Sequence, residues 1–306
     1  MLYLLHDPAE IDTVKEKILP LLVNIKHELV SFPLDKEFDL DPDSSLLLYL
    51  SDECLRKVIP VAARNKWPIA ILPHPENKFT SKGLGISTDL EEVITEFSEC
   101  ESPHVIDLLY CNDIPVFNAV NIGDILLHSE GKEKKSFFSQ IMNIFKNIRR
   151  ASSLSHHPYQ LSSGEDKIIN TSALGIVVVE HASSSLISKR LLQNSSISDG
   201  SFQAFILSPQ NLLVLIWFFM RSLWPQSKSI ENTPSFIGQI TASQLNIRGE
   251  NMEYSIDGVK YESKEIDLKI HEQAIVLKQE CIFSHKTDKA NNKKSLKIEG
   301  LPKGET

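Results

Sequence analysis

The sequence predicts an α/β domain followed by a mostly β domain, and three observations carry that prediction. Over roughly the first third of the chain, short apolar runs of strand composition alternate with runs of helical period, the pattern of βαβ units and a parallel sheet. From Val105 onward β-rich segments separated by turn residues take over. The length, 306 residues, fits one large or two ordinary domains. The expected division is 1–118 for the α/β part, 119–280 for the β part, and 281–306 for a basic tail that is mobile or packs back on the first part.

Residues 1–5, MLYLL, read as the first strand; they lack the positive n-region and long apolar run of a signal peptide. Val14, Ile18, Leu21 and Leu22 set a helical period over 11–24, and 27–32 returns to strand composition. Residues 45–50 form a strand, and 54–67 form a helix with Leu55, Val58, Ile59, Ala62 and Ala63 on one side. Another strand covers 68–72 and is broken by Pro73, Pro75 and Asn77. After a Gly83-Leu84-Gly85 turn, 89–97 is a helix capped at Ser87 or Asp89. The β-rich part offers strands at 105–110, 115–121, 168–180, 202–208, 239–247 and 252–261, with helices around 135–150 and 209–223.

Composition excludes several functions. With 32 Lys plus Arg against 40 Asp plus Glu the net charge is −8, which disfavours nucleic acid as a partner. Six Lys and three acidic residues in the tail leave the remainder at −11. Cys54, Cys100, Cys111 and Cys281 have no CxxC spacing and read as reduced thiols. The longest apolar run, Leu212 to Met220, falls well short of the roughly 20 residues a membrane span needs. A cytoplasmic location is expected, with peripheral membrane contact open. Residues 132–150 carry Phe137, Phe138, Ile141, Met142, Phe145 and Ile148 on one helical face flanked by basic residues, a face that suits the protein's own core or an anionic membrane. The run 212–224 is apolar nearly all round and calls for burial, a lipid pocket or a partner.

A series of short motifs lies in a telling order. Asp7-Pro8 follows the first strand; LLLYL runs into Leu50-Ser51-Asp52-Glu53-Cys54 and then Leu55-Arg56-Lys57-Val58. Ile71-Leu72-Pro73-His74-Pro75-Glu76-Asn77-Lys78-Phe79 leads to Leu84-Gly85-Ile86 and Asp89-Leu90-Glu91. Later come Val105-Ile106-Asp107-Leu108, Val116-Phe117-Asn118-Ala119, Ile122-Gly123, Ser198-Asp199-Gly200-Ser201-Phe202 and Ile256-Asp257-Gly258-Val259. This order resembles the catalytic domain of diacylglycerol kinases and bacterial lipid kinases, relatives of sphingosine and NAD kinases. Their landmarks are an N-P pair, a G-G-D-G-T loop, an L-N-E-V helix, P-x-G-T-x-N-D-F-A-R, L-G-I, D-D-G-x-L and D-G-E.

The resemblance implies a three-layer α/β nucleotide-binding domain of NAD kinase/diacylglycerol kinase type, a β-sandwich domain, and an active site between them. It implies transfer of the ATP γ-phosphate to a lipid hydroxyl, with Mg²⁺ as cofactor. Residue by residue it places Asp7, Asp52, Glu53, Cys54, Pro73, His74, Pro75, Glu76 and Asn77 at the nucleotide end, Asp199 near magnesium, and Asp257 near the acceptor. Val259 stands where the family has its carboxylate.

The departures weaken that chemistry. Phosphate loops use glycines for positive φ and exposed N–H groups, whereas Leu50, Ser51 and Glu53 occupy those positions. Glu53 and Glu76 would repel a triphosphate by about 1 kcal/mol each at roughly 4 Å in water, and more where water is excluded. Pro75 removes an N–H donor and fixes φ. Val259 accepts no proton, and a positioned base contributes about 10²- to 10⁴-fold; Asp257, Glu253 and Asp199 are the nearby carboxylates in motif terms.

Structural roles compete with each of these. Asp52 stands at a strand-to-helix junction, where an N-cap is common. Asp257-Gly258 between strand-like runs is a hairpin turn signal, and Asp199-Gly200 is similarly turn-like. Asp39, Asp41 and Asp43 lack the glycine and final glutamate of a calcium loop, His156-His157 has no co-ligand at spacing, and His181 with Ser183 to Ser185 has no nucleophile motif. Three functional readings follow: a lipid kinase-like protein with impaired or lost transfer and ATP and Mg²⁺ as cofactors if active, a non-enzymatic protein that binds a lipid or small molecule, and a partner-binding scaffold.

Overall fold

The computed structural model describes residues 1–34, 38, 40–41, 43–100, 102–123, 156–163, 168–180, 198–209 and 236–279. The stretches read above as helices around 135–150 and 209–223, the Asp39 position, His181 with its serines, and the tail lie outside them.

The α/β part begins with β1 (Leu2–His6), flanked by β2 (His27–Ser31) and β3 (Ser45–Tyr49), both parallel to it. β3 is buried along its whole length, as a central strand covered on both faces must be. Between β1 and β2 the chain winds through Pro8–Glu10, α1 (Ile11–Thr13), a wider turn at Val14–Ile18 and a tighter one at Leu19–Leu22. A uniform helix was expected there. Pro20 lacks the N–H that a regular helix would use, and the winding changes just ahead of it.

The long helix α2 (Asp52–Asn65) follows β3 and buries Leu55, Val58, Ile59 and Ala62, the face that the sequence pattern gives it. It starts on Ser51, whose hydroxyl accepts from the Cys54 N–H, and stops at Lys66 in the left-handed conformation. β4 (Pro68–Ile71) pairs parallel to β3. Where a Gly83-Leu84-Gly85 turn was expected, the chain forms a short helix, α3 (Phe79–Leu84), that ends on Gly85 at φ 65°. Gly83 lies inside it for want of room: a Cβ there would stand 1.8 Å from the Phe117 carbonyl oxygen. α4 (Leu90–Glu99) is capped by the Asp89 carboxylate, one of the two caps its sequence offers.

The β-rich part contains β5 (His104–Cys111), β6 (Ile114–Val116), β7 (Val120–Gly123), β8 (His157–Ser162), β9 (Ile168–Ala173), β10 (Gly175–Val179), β11 (Phe202–Leu207), β12 (Ile237–Ala242), β13 (Gln244–Ile256) and β14 (Val259–Leu277). The expected strands at 115–121, 168–180, 239–247 and 252–261 are each split in two, the last by the Asp257-Gly258 turn. β8 is not among the strands expected from the sequence; it buries Tyr159 and Leu161 alternately and pairs antiparallel with β9 and β13.

All the described strands join one 14-stranded mixed sheet. β14 is what joins them. One edge of this strand pairs first with β13 and then, at Val276 and Leu277, with β4; the other edge pairs with β5. Two hydrophobic clusters sit on this sheet, one gathering β1, β3, α2, β4 and α4, the other gathering the antiparallel strands.

Candidate functional site

The segments that follow β1, β3 and β4 leave the parallel sheet at the same, carboxyl end, the place where open α/β sheets bind ligands. This end therefore gathers Asp7, the 51–54 turn and the 73–77 loop, all of which the sequence singled out. The two loops touch directly, with the Asp52 N–H donating to the Glu76 carbonyl at 3.4 Å.

Asp52 does not cap its own helix; Ser51 does. The Asp52 carboxylate is buried and turned across to the 78–80 backbone. Its Oδ2 accepts from the N–H groups of Lys78 at 2.8 Å and Phe79 at 2.9 Å, and Oδ1 accepts from the N–H and hydroxyl of Thr80 at 3.0 and 2.7 Å. An ionised carboxylate has about four acceptor positions, so these four donors saturate it. Asn77 completes the start of α3 by accepting the Ser81 N–H at 3.0 Å.

Most of the remaining residues of this end have local partners, although the buried His74 Nε2 and Asn77 Nδ2 find none among the described residues. Asp7 accepts the Ala9 N–H at 2.9 Å and caps the turn after β1. Glu53 points into solvent and pairs with Lys57 at 3.0 Å. Cys54 is half-buried, Pro73 is half-buried, and Pro75 and Glu76 are exposed. His74 is buried with its ring edge-on to Tyr49 at 4.7 Å, and its Nδ1 accepts the Glu76 N–H at 3.1 Å. Nε2 therefore carries the ring proton. Burial holds the imidazole below the usual histidine range, opposed by the charges of Glu10, Glu76, Asp7 and Asp52.

Asp257 occupies the turn between β13 and β14, at φ 46°, followed by Gly258 at φ 83°. Two successive positive φ angles are what a tight hairpin of Asp-Gly type requires. Its carboxylate is fully buried and, like that of Asp52, saturated. Oδ2 accepts from Arg56 Nη2 at 3.2 Å and the Phe117 N–H at 3.0 Å, and Oδ1 from the N–H groups of Asn118 at 2.8 Å and Ala119 at 3.0 Å. Burial still pushes its pKa up, against the lowering effects of Phe117, Arg56, Ala119 and Asn118. Phe79 closes over the same turn, since a Cβ on Gly258 would stand 2.8 Å from its ring. Val259, next in line, is 44% exposed.

Asp199 lies in a third place. Its Oδ1 accepts the N–H and hydroxyl of Ser201 at 3.1 and 2.8 Å, a turn-stabilising arrangement. Close by, Asp107 is buried and accepts the N–H groups of Gly200 at 2.7 Å and Gln273 at 2.8 Å. Glu180, fully buried, accepts the Leu109 N–H at 2.8 Å. Burial, reinforced by Asp107 and Asp199, holds Glu180 well above the carboxylate range. Arg56, Asp107 and Glu180 escape the sequence reading. The available signal is a charged residue inside an otherwise apolar run, clearest for Asp107 in VIDLL.

These residues do not fit ATP and Mg²⁺. Asp52 and Asp257 have no acceptor position left for a cation, Pro75 offers no N–H, and the Asp52 and Cys54 N–H groups at the start of α2 are already spent on Glu76 and Ser51. Among the described residues no group of three or more His, Cys, Asp or Glu is arranged to hold a metal ion. Also among them, Cys54, Cys100 and Cys111 are free thiols, with burial pushing Cys111 up to about 12, and no helix is long and apolar enough to cross a membrane.

No protein-family model matches the sequence, and no curated protein matches it. Solved structures do match its fold. A diacylglycerol kinase structure from Bacillus anthracis str. Sterne superposes with a TM-score of 0.66 at 17% identity, covering 91% of this chain and 96% of that one. Two further structures from the same bacterium give TM-scores of 0.64 at 15% and 16% identity, each covering 91% of this chain and 97% of its own. An NAD kinase from Archaeoglobus fulgidus, in complex with ATP, overlaps at a TM-score of 0.46 and 11% identity, covering 95% of this chain and 98% of its own, too little to argue from. The mixed sheet, its helices and its strand-rich second part thus have the fold of the diacylglycerol kinase structures.

Proposed function

We propose that this chain is a diacylglycerol kinase-like protein that has given up phosphoryl transfer and acts by holding a lipid or other small molecule. The observation that carries this reading is the saturation of Asp52, which matches the aspartate of the family's G-G-D-G-T loop and spends both oxygens on Lys78, Phe79 and Thr80. Phosphoryl transfer is positioning plus electrostatic stabilisation, and it needs a carboxylate free to meet the cation or the attacking hydroxyl. The same saturation at Asp257, the valine at 259, and the outward acids Glu53 and Glu76 support the reading.

The test is to incubate the purified protein with ATP, Mg²⁺ and 1,2-dioleoylglycerol in mixed micelles while titrating ATP calorimetrically. The expected result is no phosphatidate above the protein-free blank and no magnesium-dependent heat. Vesicles with and without dioleoylglycerol then test the binding half. Phosphatidate formation accompanied by magnesium-dependent ATP binding would overturn the proposal.

A further inference from the structure

We propose that Arg56 and the backbone of Phe117, Asn118 and Ala119 form an anion-binding cradle that the chain fills with its own Asp257 carboxylate, and that a small free carboxylate enters it once that side chain is removed.

The geometry is that of a receptor. Three consecutive N–H groups converge on one carboxylate at 3.0, 2.8 and 3.0 Å. Successive backbone amides aimed at a single point make an anion-binding concavity, and a guanidinium beside them adds a charge-assisted bond. Residues 117–119 connect β6 to β7 and lie outside both strands, so these amides are available to an occupant. The cradle closes reciprocally, since the Asp257 N–H donates to the Ala119 carbonyl at 3.0 Å.

Two observations separate an anion site from an ordinary turn contact. The β13–β7 register, with Ile256 opposite Val120, brings Asp257 to this connection, whereas the guanidinium comes from α2, 201 residues away, and is no part of that ladder. The cradle also offers more than Asp257 uses: Arg56 Nε is buried and has no hydrogen-bond partner among the described residues. A carboxylate freed from the hairpin could bridge Nε and Nη2 along one edge of that guanidinium, the bidentate arrangement arginine favours.

Asp257→Gly is the informative variant, because glycine accepts φ 46° without strain and the change removes little besides the carboxylate. Its thermal unfolding midpoint is expected to fall below that of the native protein and to rise again, saturably, as sodium formate is added. The native protein, with the cradle filled, and an Arg56→Met/Asp257→Gly double variant, with the cradle dismantled, are expected to show only the small common salt effect. Equal formate shifts in all three proteins would overturn the proposal. Should the glycine variant fail to fold, hydrogen exchange on the native protein decides: amides 117–119 are expected to exchange as slowly as those of β7, and exchange at open-loop rates would sink the idea.

Discussion

Asp52 and Asp257 make a controlled pair. Each stands at a position matched to a diacylglycerol kinase motif, each is buried, and each carboxylate receives four donors, two per oxygen. They differ in where those donors come from. Asp52 draws all four from Lys78 to Thr80, so it orders one short helix and its work is regional. Asp257 draws on α2 and on the connection between β6 and β7, so it fastens three elements together with a cation among them. One residue type in two motif-like places has become a cap in the first and a joint in the second. The number of hydrogen bonds does not distinguish those roles; their distribution along the chain does.

Breaking the joint is expected to have the largest effect. Asp257→Ala leaves Arg56 buried without its counter-charge, a situation that typically costs about 3–5 kcal/mol, read by urea unfolding. Converting Arg56 to Met in the same chain is expected to recover part of that loss, because an apolar pair avoids the desolvation of both charges. Asp52→Ala orphans the starting amides of α3, for about 1–3 kcal/mol. Its signature is regional: hydrogen exchange quickens across 78–84 and stays slow in β13 and β14. Equal effects across both regions would erase the contrast between cap and joint.

Glu180 sharpens the comparison from the side of charge. Its neighbours Asp107 and Asp199 repel rather than attract, and its pKa stands well above the ordinary value. Between the ordinary and the raised pKa the folded protein holds a proton that the unfolded chain has lost, so stability falls as pH rises through that window. Urea midpoints between about pH 5 and about pH 8 are expected to decline in the native protein and to flatten in Glu180→Gln. The smallest effect belongs to Glu53→Gln, which breaks an exposed pair with Lys57 worth about 0.3–0.5 kcal/mol; denaturant curves of the two proteins should nearly superpose.

The strands of the parallel sheet, α2 with its buried face, the Asp89 cap and the Asp257-Gly258 turn were all legible, because each rests on side-chain periodicity or on a local conformational demand. The partners of Asp52 and Asp257 were not. Backbone N–H groups belong to every residue but proline, so nothing in the letters at 78–80 or 117–119 marks them as receivers of a carboxylate. Arg56 was hidden for a related reason: its partner, Asp257, stands 201 residues away, and nothing in the local pattern of α2 points to it. The far half of β14 is present in the alternation of Ile266, Leu268 and Ile270, whose buried positions follow the pleat; the charged residues between them mask the strand beyond 261.

The length of β14 has a consequence for how the protein is made. β4 leaves the ribosome early, but the strand that covers its open edge ends at Leu277, more than two hundred residues later. An uncovered strand edge is a template for pairing with another chain. At roughly 5–20 residues per second, synthesis leaves that edge bare for about ten seconds or more. A chain that stops before residue 276 lacks the strand that pairs with β4, and such a fragment is expected to self-associate through that edge.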